Sequence, residues 1–342
     1  MISATLRDLL AEGVDVGAFP AGAAWVAQGG RPVASAVLGP VHPDPWWDLA
    51  SLTKPLVVGT LFMRSVAAGE ASLDDVVEAP GGRPLPLVDL LAHRAGLRAW
   101  ADLPAAVDAW LGPARAGRWS PRDRAARAAL DDALAVERAT ADPGRGTRYS
   151  DLGYILLGRA LERRLGRPLR ELAAGFMALD PPRDPARFAP TGRCSRRRRT
   201  LRGEVHDANA WALGGAAGHA GVFATAEAVG RWALDLANAA RGRPATIDGG
   251  VVRAFWDPAW RAPDATWVLG WDTPSPGGST GGAMISPNSV GHLGFTGTSV
   301  WVDRDADIVT VLLTNRVTLG PPSGPRMRDF RPRFHDAVRA AL

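Results

Sequence analysis

The sequence contains a single lysine, Lys54, among 40 basic residues. Arginine can fill most surface roles of lysine, but its guanidinium does not release a proton, so only lysine can act as a base. Ser51 lies three positions earlier, in the tetrapeptide SLTK. Because residues i and i+3 of a helix face the same way, the Ser51 hydroxyl and the Lys54 amine can approach each other. The pair predicts a nucleophilic serine activated by a lysine whose pKa is lowered by burial and by its neighbours.

Pro55 predicts where the helix that holds this pair begins. Proline is tolerated only in the first turn, so the regular helix cannot start much before Ser51. Residues 52–69 are expected to be helical because their apolar side chains recur on one side. Ser51 would then lie at a helix N-terminus, where free N–H groups and the helix dipole stabilise an oxyanion. An ordinary N-cap serine is the alternative interpretation.

Two further tripeptides contain residue types that can move or bind protons. Tyr149 and Tyr154 are the only tyrosines. Tyr149 opens the tripeptide YSD, which ends at Asp151, whereas Tyr154 is expected on the apolar face of a helix. A second tripeptide, HLG, runs from His292 to Gly294. Each motif is loose by itself, and their order along the chain is the stronger signal.

The three motifs resemble those of the penicillin-recognising serine hydrolases, in which S-x-x-K, Tyr-x-Asn/Asp and Lys/His-x-Gly follow one another. Their order and separations resemble the class C branch, which includes class C β-lactamases, D-amino-acid peptidases and related esterases. Two other segments are similar to this branch, LVDLLAHRAGL at 87–97 and GEVHDANAWALGGAAGHAGVFAT at 203–225. The resemblance covers about residues 20–316 and implies a serine β-lactamase or penicillin-binding-protein-like fold.

The resemblance implies a catalytic role for four residues. Ser51 would be the nucleophile that forms an acyl-enzyme. Lys54 and Tyr149 would share the proton, and either of them can be the general base. His292 would stand beside the site and hydrogen-bond Tyr149 or a substrate carboxylate. We expect all four side chains in one cleft, with Tyr149 Oη within roughly 6 Å of Ser51 Oγ.

The resemblance also implies an oxyanion hole and two substrate-binding positions. The backbone N–H groups of Ser51 and Phe295 would form the oxyanion hole, and Asp151 and Gly294 would contact the substrate. No metal or cofactor is expected. Asp151 stands where class C β-lactamases usually carry asparagine, and His292 replaces a lysine. Both departures favour an esterase or a D-amino-acid peptidase or carboxypeptidase with weak or no β-lactamase activity. A catalytically silent binding or sensor protein on the same fold is the alternative.

The order of elements predicts an α+β fold. Strands are predicted at 23–27, 32–38, 266–271, 295–302 and 308–314, and helices near the N-terminus and at 87–91, 122–140, 152–165, 226–240 and 327–342. Because strands cluster at both ends of the chain, the simplest fold joins them in one antiparallel sheet. We therefore expect a single domain, 1–342. Its α/β lobe, a central antiparallel sheet flanked by helices, spans about 1–60 and 255–342, and a mainly helical lobe spans about 61–254.

Composition favours a small-molecule or peptide substrate over a nucleic acid or a membrane. The formal net charge is +5, and the one basic cluster comprises Arg193 and 196–199. A nucleic-acid patch there is conceivable, but no aromatic residue interleaves the run, which favours a solvated loop. The sequence shows no signal peptide or apolar span, so we expect a cytoplasmic location, with export not excluded. Cys194 is the only cysteine and allows no intramolecular disulfide. The oligomeric state is left open.

Overall fold

Five strands form one antiparallel sheet in which the two ends of the chain pair directly. The computed structural model describes residues 2–78, 84–135, 146–174, 183–263 and 265–342. The strands are β1 (Gly22–Gln28), β2 (Arg31–Leu38), β3 (Val290–Leu293), β4 (Ser299–Asp303) and β5 (Ile308–Thr314), in the spatial order β2-β1-β5-β4-β3. In the central pair Gly22 lies opposite Thr314, and Gln28 lies opposite Ile308. The prediction that one sheet unites both ends is confirmed.

Helices surround this sheet and fill the middle of the sequence. They are α1 (Ile2–Asp15), α2 (Thr60–Ala67), α3 (Leu87–Leu91), α4 (Leu103–Leu111), α5 (Arg124–Ala135), α6 (Asp151–Leu165), α7 (Leu169–Ala174), α8 (Ala208–Ala212), α9 (Ala226–Ala240), α10 (Gly249–Phe255) and α11 (Ser323–Ala340). The predicted helix at 122–140 is confirmed over Arg124–Ala135, and its last five positions lie outside the described residues. No helix in the described ranges combines the length and apolarity needed to cross a bilayer.

The central strand β1 is buried on both faces, which explains its nearly unbroken apolar sequence. Ala24 and Val26 belong to the apolar cluster that includes residues of α1 and α11. Trp25 points to the other face and packs against α9. Gly230 of α9 makes this contact possible, because a Cβ there would lie 2.2 Å from the Trp25 ring. Helix α9 therefore packs on the sheet, although it falls in the stretch 61–254 that we assigned to the helical lobe.

The strand predicted at 266–271 is wrong. This segment forms a tight bend: the N–H group of Val268 donates to the carbonyl of Trp271, and Gly270 adopts a φ of 85°. The N–H group of Gly270 donates to the carbonyl of Leu91, so the bend is tied to α3. Val268 and Trp271 are fully buried, and burial inside a bend produces the same apolar sequence as a buried strand.

The strand predicted at 295–302 starts too early. Residues 295–297 belong to the turn between β3 and β4, and β4 begins at Ser299. The N–H group of Gly294 donates to the carbonyl of Thr298, which closes this turn, and Gly297 adopts a φ of 95°. This turn contacts the segment that carries Ser51.

The basic cluster is engaged in ion pairs within the chain. Arg196 pairs with Asp108, while Arg197 and Arg199 both pair with Glu204. Arg197 also donates to the carbonyls of Val205 and His206. These contacts within the chain give Arg196, Arg197 and Arg199 a structural role.

Candidate active site

Ser51 lies in a short 3-10 helix, Ala50–Leu52, that leads into a buried π-helix, Lys54–Gly59. Ala50 adopts a φ of 47°, in the left-handed region that non-glycine residues rarely occupy. The Asp48 carboxylate supports this backbone by accepting the N–H of Ala50 at 2.9 Å and that of His206 at 2.7 Å. The strained backbone of Ala50, the residue before Ser51, is therefore held in place by a buried carboxylate. Ser51 lies in a first helical turn, where main-chain N–H groups have no acceptor within the helix.

The turn between β3 and β4 is fastened to the same segment. Thr296 Oγ1 donates to the carbonyl of Asp48 at 2.7 Å, and Thr298 Oγ1 donates to that of Leu49 at 3.2 Å. Gly294 has no room for a side chain, because a Cβ would lie 2.6 Å from the Leu49 carbonyl oxygen. Gly294 was predicted to contact substrate. Its close packing fixes Phe295, the predicted second oxyanion-hole residue, beside the Ser51 segment.

Lys54 is completely buried beneath Ser51. Its Nζ donates to Ser51 Oγ at 3.0 Å, to Asp151 Oδ1 at 2.7 Å and to the carbonyl of His219 at 3.2 Å. An ammonium group has three N–H donors, and here each has an oxygen acceptor. This arrangement suits the protonated form of Lys54 in the resting protein.

The pKa values of Lys54 and Tyr149 are both raised. Burial alone would lower the pKa of the Lys54 ammonium, but the charges of Tyr149 and Asp151 and the hydrogen bonds to them outweigh it. Burial raises the pKa of the Tyr149 hydroxyl, and its interactions with Lys54 and Ser51 oppose this only in part. The expectation that neighbours lower the pKa of Lys54 is wrong, since the ion pair with Asp151 stabilises the ammonium form.

Tyr149 is positioned by residues that come from three parts of the sequence. It directly precedes Ser150, whose hydroxyl caps α6 by accepting the N–H of Gly153 at 3.1 Å. The ring of His93 stacks 4.4 Å from the Tyr149 ring, and that of Trp267 lies 5.1 Å away. His93 Nδ1 also accepts the N–H of Ser150 at 3.0 Å. His93 lies in the segment 87–97 that is similar to the class C branch, but nothing in the sequence indicated that His93 or Trp267 lies beside Tyr149.

His292 lies in the site but does not make the predicted hydrogen bond to Tyr149. The two rings are 6.2 Å apart, and His292 Nδ1 donates instead to the carbonyl of Leu293 at 2.8 Å. Its Nε2 is buried and has no hydrogen-bond partner among the residues that the structure describes. Burial and the charge of Lys54 lower the pKa of His292 to about 3, so the ring is neutral near pH 7. His292 therefore supplies no positive charge for binding an anion.

Asp207 and His219 form a second polar pair in the cavity wall. His219 Nε2 lies 2.9 Å from Asp207 Oδ1. Burial acts to raise the pKa of Asp207, but the hydrogen bonds from His219 and from the N–H of Ala210 outweigh it and lower the pKa to about 2. Because the His219 carbonyl accepts a hydrogen bond from Lys54, this pair fixes one of the three oxygens around the lysine. Through these contacts the pair has a structural role in the cavity wall.

Ser51, Tyr149, Asp151, His292 and Phe295 all line one cavity of about 830 Å³. The cavity brings together every predicted site residue except Lys54, which lies directly below it and bonds to Ser51. Among the described residues no group of three potential metal ligands comes together. The geometry places the Ser51 hydroxyl at the cavity beside two groups that can exchange a proton, Lys54 and Tyr149.

Residues 6–329 match the model of the β-lactamase family. The chain therefore belongs to the β-lactamase family of serine hydrolases. Among its relatives is a protein of Bacillus subtilis (strain 168) named N-acetylmuramyl-L-alanine amidase. That protein is 28% identical over 316 residues, which cover 79% of this chain and 68% of the relative.

Solved structures have the same fold at lower sequence identity. The D-alanine carboxypeptidase AmpC from Burkholderia cenocepacia aligns with a TM-score of 0.70 and 18% identity over 100% of this chain and 99% of its own. EstCE1, described as a hydrolase with promiscuous acyltransferase activity, aligns with a TM-score of 0.70 and 18% identity over 96% of this chain and 98% of its own. These similarities confirm the predicted β-lactamase/transpeptidase-like fold.

Proposed function

We propose that the protein is a serine hydrolase that forms an acyl-enzyme on Ser51. Its substrates would be esters or D-amino-acid peptides, and its β-lactamase activity would be weak or absent. The observation that carries the proposal is the Lys54 Nζ at 3.0 Å from Ser51 Oγ, at the floor of an open cavity. The printed activities of these similar proteins, an amidase, a D-alanine carboxypeptidase and a hydrolase with promiscuous acyltransferase activity, are consistent with an acyl-transfer reaction.

In the proposed mechanism Lys54 and Tyr149 act as one proton-exchanging pair. The resting pair is ammonium and phenol, and the base form arises when the pair loses one proton. Ser51 Oγ then attacks the substrate carbonyl while its proton passes to this pair. The main-chain N–H groups of Ser51 and Phe295 stabilise the oxyanion. The pair returns the proton to the leaving group, and a water molecule then releases the acyl group by the reverse sequence.

Asp151 has a different role in this mechanism from the substrate contact predicted for it. Its carboxylate neutralises the Lys54 ammonium, and its charge raises the pKa of both Lys54 and Tyr149. Asp151 is thus a positioning residue that sets the pH at which the base form appears. Its side chain also lines the cavity.

Asp151→Asn is expected to shift the rising limb of the pH–rate profile to lower pH. The substitution removes a negative charge while the side chain keeps nearly the same size. The pKa of the Lys54–Tyr149 pair therefore falls, and the base form of the pair appears at lower pH. The measurement is kcat/KM for p-nitrophenyl butyrate across the pH range in which both proteins stay folded. Asp272→Asn is the control, because Asp272 lines the same cavity without shifting either pKa. A limb that stays in place, or moves to higher pH, would contradict this role.

Short-chain p-nitrophenyl esters should be hydrolysed more readily than nitrocefin. The neutral, buried His292 supplies no charge for a β-lactam carboxylate, whereas the class C motif that it resembles has a lysine at this position. The experiment compares kcat/KM for p-nitrophenyl acetate and butyrate with that for nitrocefin, and includes a D-Ala-D-Ala peptide. Faster turnover of nitrocefin than of either ester would contradict the assignment. Failure of Ser51 to react with any of them or with a fluorophosphonate would support the silent binding protein.

A further inference from the structure

Asp48 is a buried carboxylate whose two oxygens accept hydrogen bonds from two different segments of the chain. Only 3% of the residue is exposed. Its Oδ1 accepts the N–H of Ala50 at 2.9 Å, and its Oδ2 accepts the N–H of His206 at 2.7 Å. Ala50 directly precedes Ser51, whereas His206 lies in the cavity wall, 158 positions after Asp48. The carboxylate therefore joins the segment of the nucleophile to a distant part of the cavity wall.

Phe295, the second residue of the predicted oxyanion hole, is connected to Asp48 by two routes. Thr296 directly follows Phe295, and its Oγ1 donates to the carbonyl of Asp48 at 2.7 Å. The His206 ring stacks on the Phe295 ring, with centroids 5.8 Å apart and 25° between the ring planes. Because the N–H of His206 is bonded to Asp48 Oδ2, both routes end at Asp48.

A neutral side chain of the same size could not make both side-chain contacts of Asp48. An asparagine amide has one acceptor oxygen, so one of the two N–H groups would face its NH₂ group. A protonated carboxyl group presents an O–H and disturbs the same contact. A buried carboxylate costs free energy, so its presence at this position indicates a requirement beyond packing.

We propose that Asp48 is a positioning residue that aligns both main-chain donors of the oxyanion hole, the N–H groups of Ser51 and Phe295. The inference rests on the proposed function, since the oxyanion hole belongs to that acyl-transfer mechanism. Asp48 is not among the described residues that line the cavity, so it acts through Ala50, Thr296 and His206. A shift of either donor weakens the stabilisation of the oxyanion.

The ionisation of Asp48 falls in a pH range in which activity can be measured. Burial raises the pKa of its carboxyl group to about 6, although the hydrogen bonds from the N–H groups of His206 and Ala50 act to lower it. The negative charge of Asp207 raises this pKa as well, and the positive charge of Arg197 lowers it. As the pH falls through this value the carboxyl group becomes protonated, and one of the two N–H groups loses its acceptor.

The other elements packed around Asp48 contribute no further free charge. Residues 294–298, around the turn between β3 and β4, contain no titratable side chain, and neither does Phe223–Ala224, the short strand paired with Asp48. The His206 ring is neutral near pH 7, because burial and nearby positive charge lower its pKa. On the segment of Asp48 itself, Lys54 is the next charged group, and it is paired with Asp151.

The test measures kcat/KM for p-nitrophenyl butyrate from about pH 5 to about pH 8. In the unaltered protein the fall of log kcat/KM towards low pH is expected to steepen near pH 6, since the Lys54–Tyr149 pair and Asp48 must then both lose a proton. Asp48→Asn, shown to be folded by thermal unfolding, should lose about tenfold or more near neutral pH and should lack the steepening. It should bind butylboronic acid, whose tetrahedral adduct with serine resembles the transition state, more weakly by a similar factor.

Asp303→Asn is the matched control. Asp303 is also a buried carboxylate that accepts main-chain N–H groups, those of Asp305 and Ala306, but it is not among the described residues that line the cavity. This variant should keep the rate, the steepening and the affinity for butylboronic acid. Asp272→Asn should keep the steepening, although burial raises the pKa of Asp272 too.

Thr296→Val is the second variant if Asp48→Asn does not fold. It removes the hydrogen bond to the Asp48 carbonyl and leaves the carboxylate in place. We therefore expect a lower kcat/KM and a weaker affinity for butylboronic acid, with the steepening near pH 6 retained.

The failure of this inference is distinguishable from that of the proposed function. Ser51-dependent hydrolysis without the steepening overturns the role of Asp48 and leaves the proposed function standing. The same holds if the steepening disappears in Asp272→Asn, or if Asp48→Asn, or Thr296→Val in its place, matches Asp303→Asn in rate and in affinity for butylboronic acid. Absence of any Ser51-dependent hydrolysis overturns the proposed function, and the role of Asp48 with it.

Discussion

Ser51→Ala is expected to lower kcat/KM for p-nitrophenyl butyrate by roughly 10⁴-fold or more. The substitution removes the oxygen that forms the acyl-enzyme and leaves the cavity and its charged groups in place. The same variant should lose labelling by a fluorophosphonate probe. Both are measured against the unaltered protein at equal concentration.

Ser65→Ala is the control for this experiment, because Ser65 is also buried and lies in α2, which directly follows the π-helix. It should keep full activity and labelling, with a comparable thermal unfolding transition. Activity of Ser51→Ala close to that of the control would mean that another group attacks the substrate.

Lys54→Arg is expected to lower the same activity by at least about a hundredfold. Arginine keeps the charge but does not exchange a proton in the working pH range. The arginine guanidinium is also larger than an ammonium group, and it cannot occupy the fully buried space in which Lys54 Nζ contacts three oxygens. The measurement is kcat/KM of a variant shown to be folded by thermal unfolding.

Tyr149→Phe should lose a comparable amount, and the double variant should lose less than the product of the two losses. This non-additivity is expected when two groups handle one proton as a unit. Lys54→Arg with nearly full activity, or a double variant whose losses multiply, would contradict the shared proton.

The identities of the site residues were predictable because the chemistry demands particular residue types. A lysine kept in a chain that otherwise uses arginine indicated Lys54, and the spacing of three indicated Ser51. The spatial relations were harder to predict. Asp151 lies 97 positions after Lys54, so its ion pair, and hence the raised pKa of the lysine, depends on a long-range contact.

The fold was predicted best where the local sequence pattern agrees with the secondary structure that the buried environment imposes. Strand β5 was predicted with both ends correct, because its apolar and β-branched residues end sharply at polar turns. The bend at 266–271 was predicted as a strand, since burial alone determines its composition.

Trapping the acyl-enzyme shows directly whether Ser51 is the nucleophile. The protein is mixed with p-nitrophenyl butyrate, quenched in acid during turnover, digested and analysed by mass spectrometry, with Ser51→Ala treated in parallel. We expect a butyryl group on the peptide that contains Ser51 and none on that peptide from the variant. Turnover without this adduct under several quench times, or a butyryl group on another residue that persists in Ser51→Ala, would contradict it.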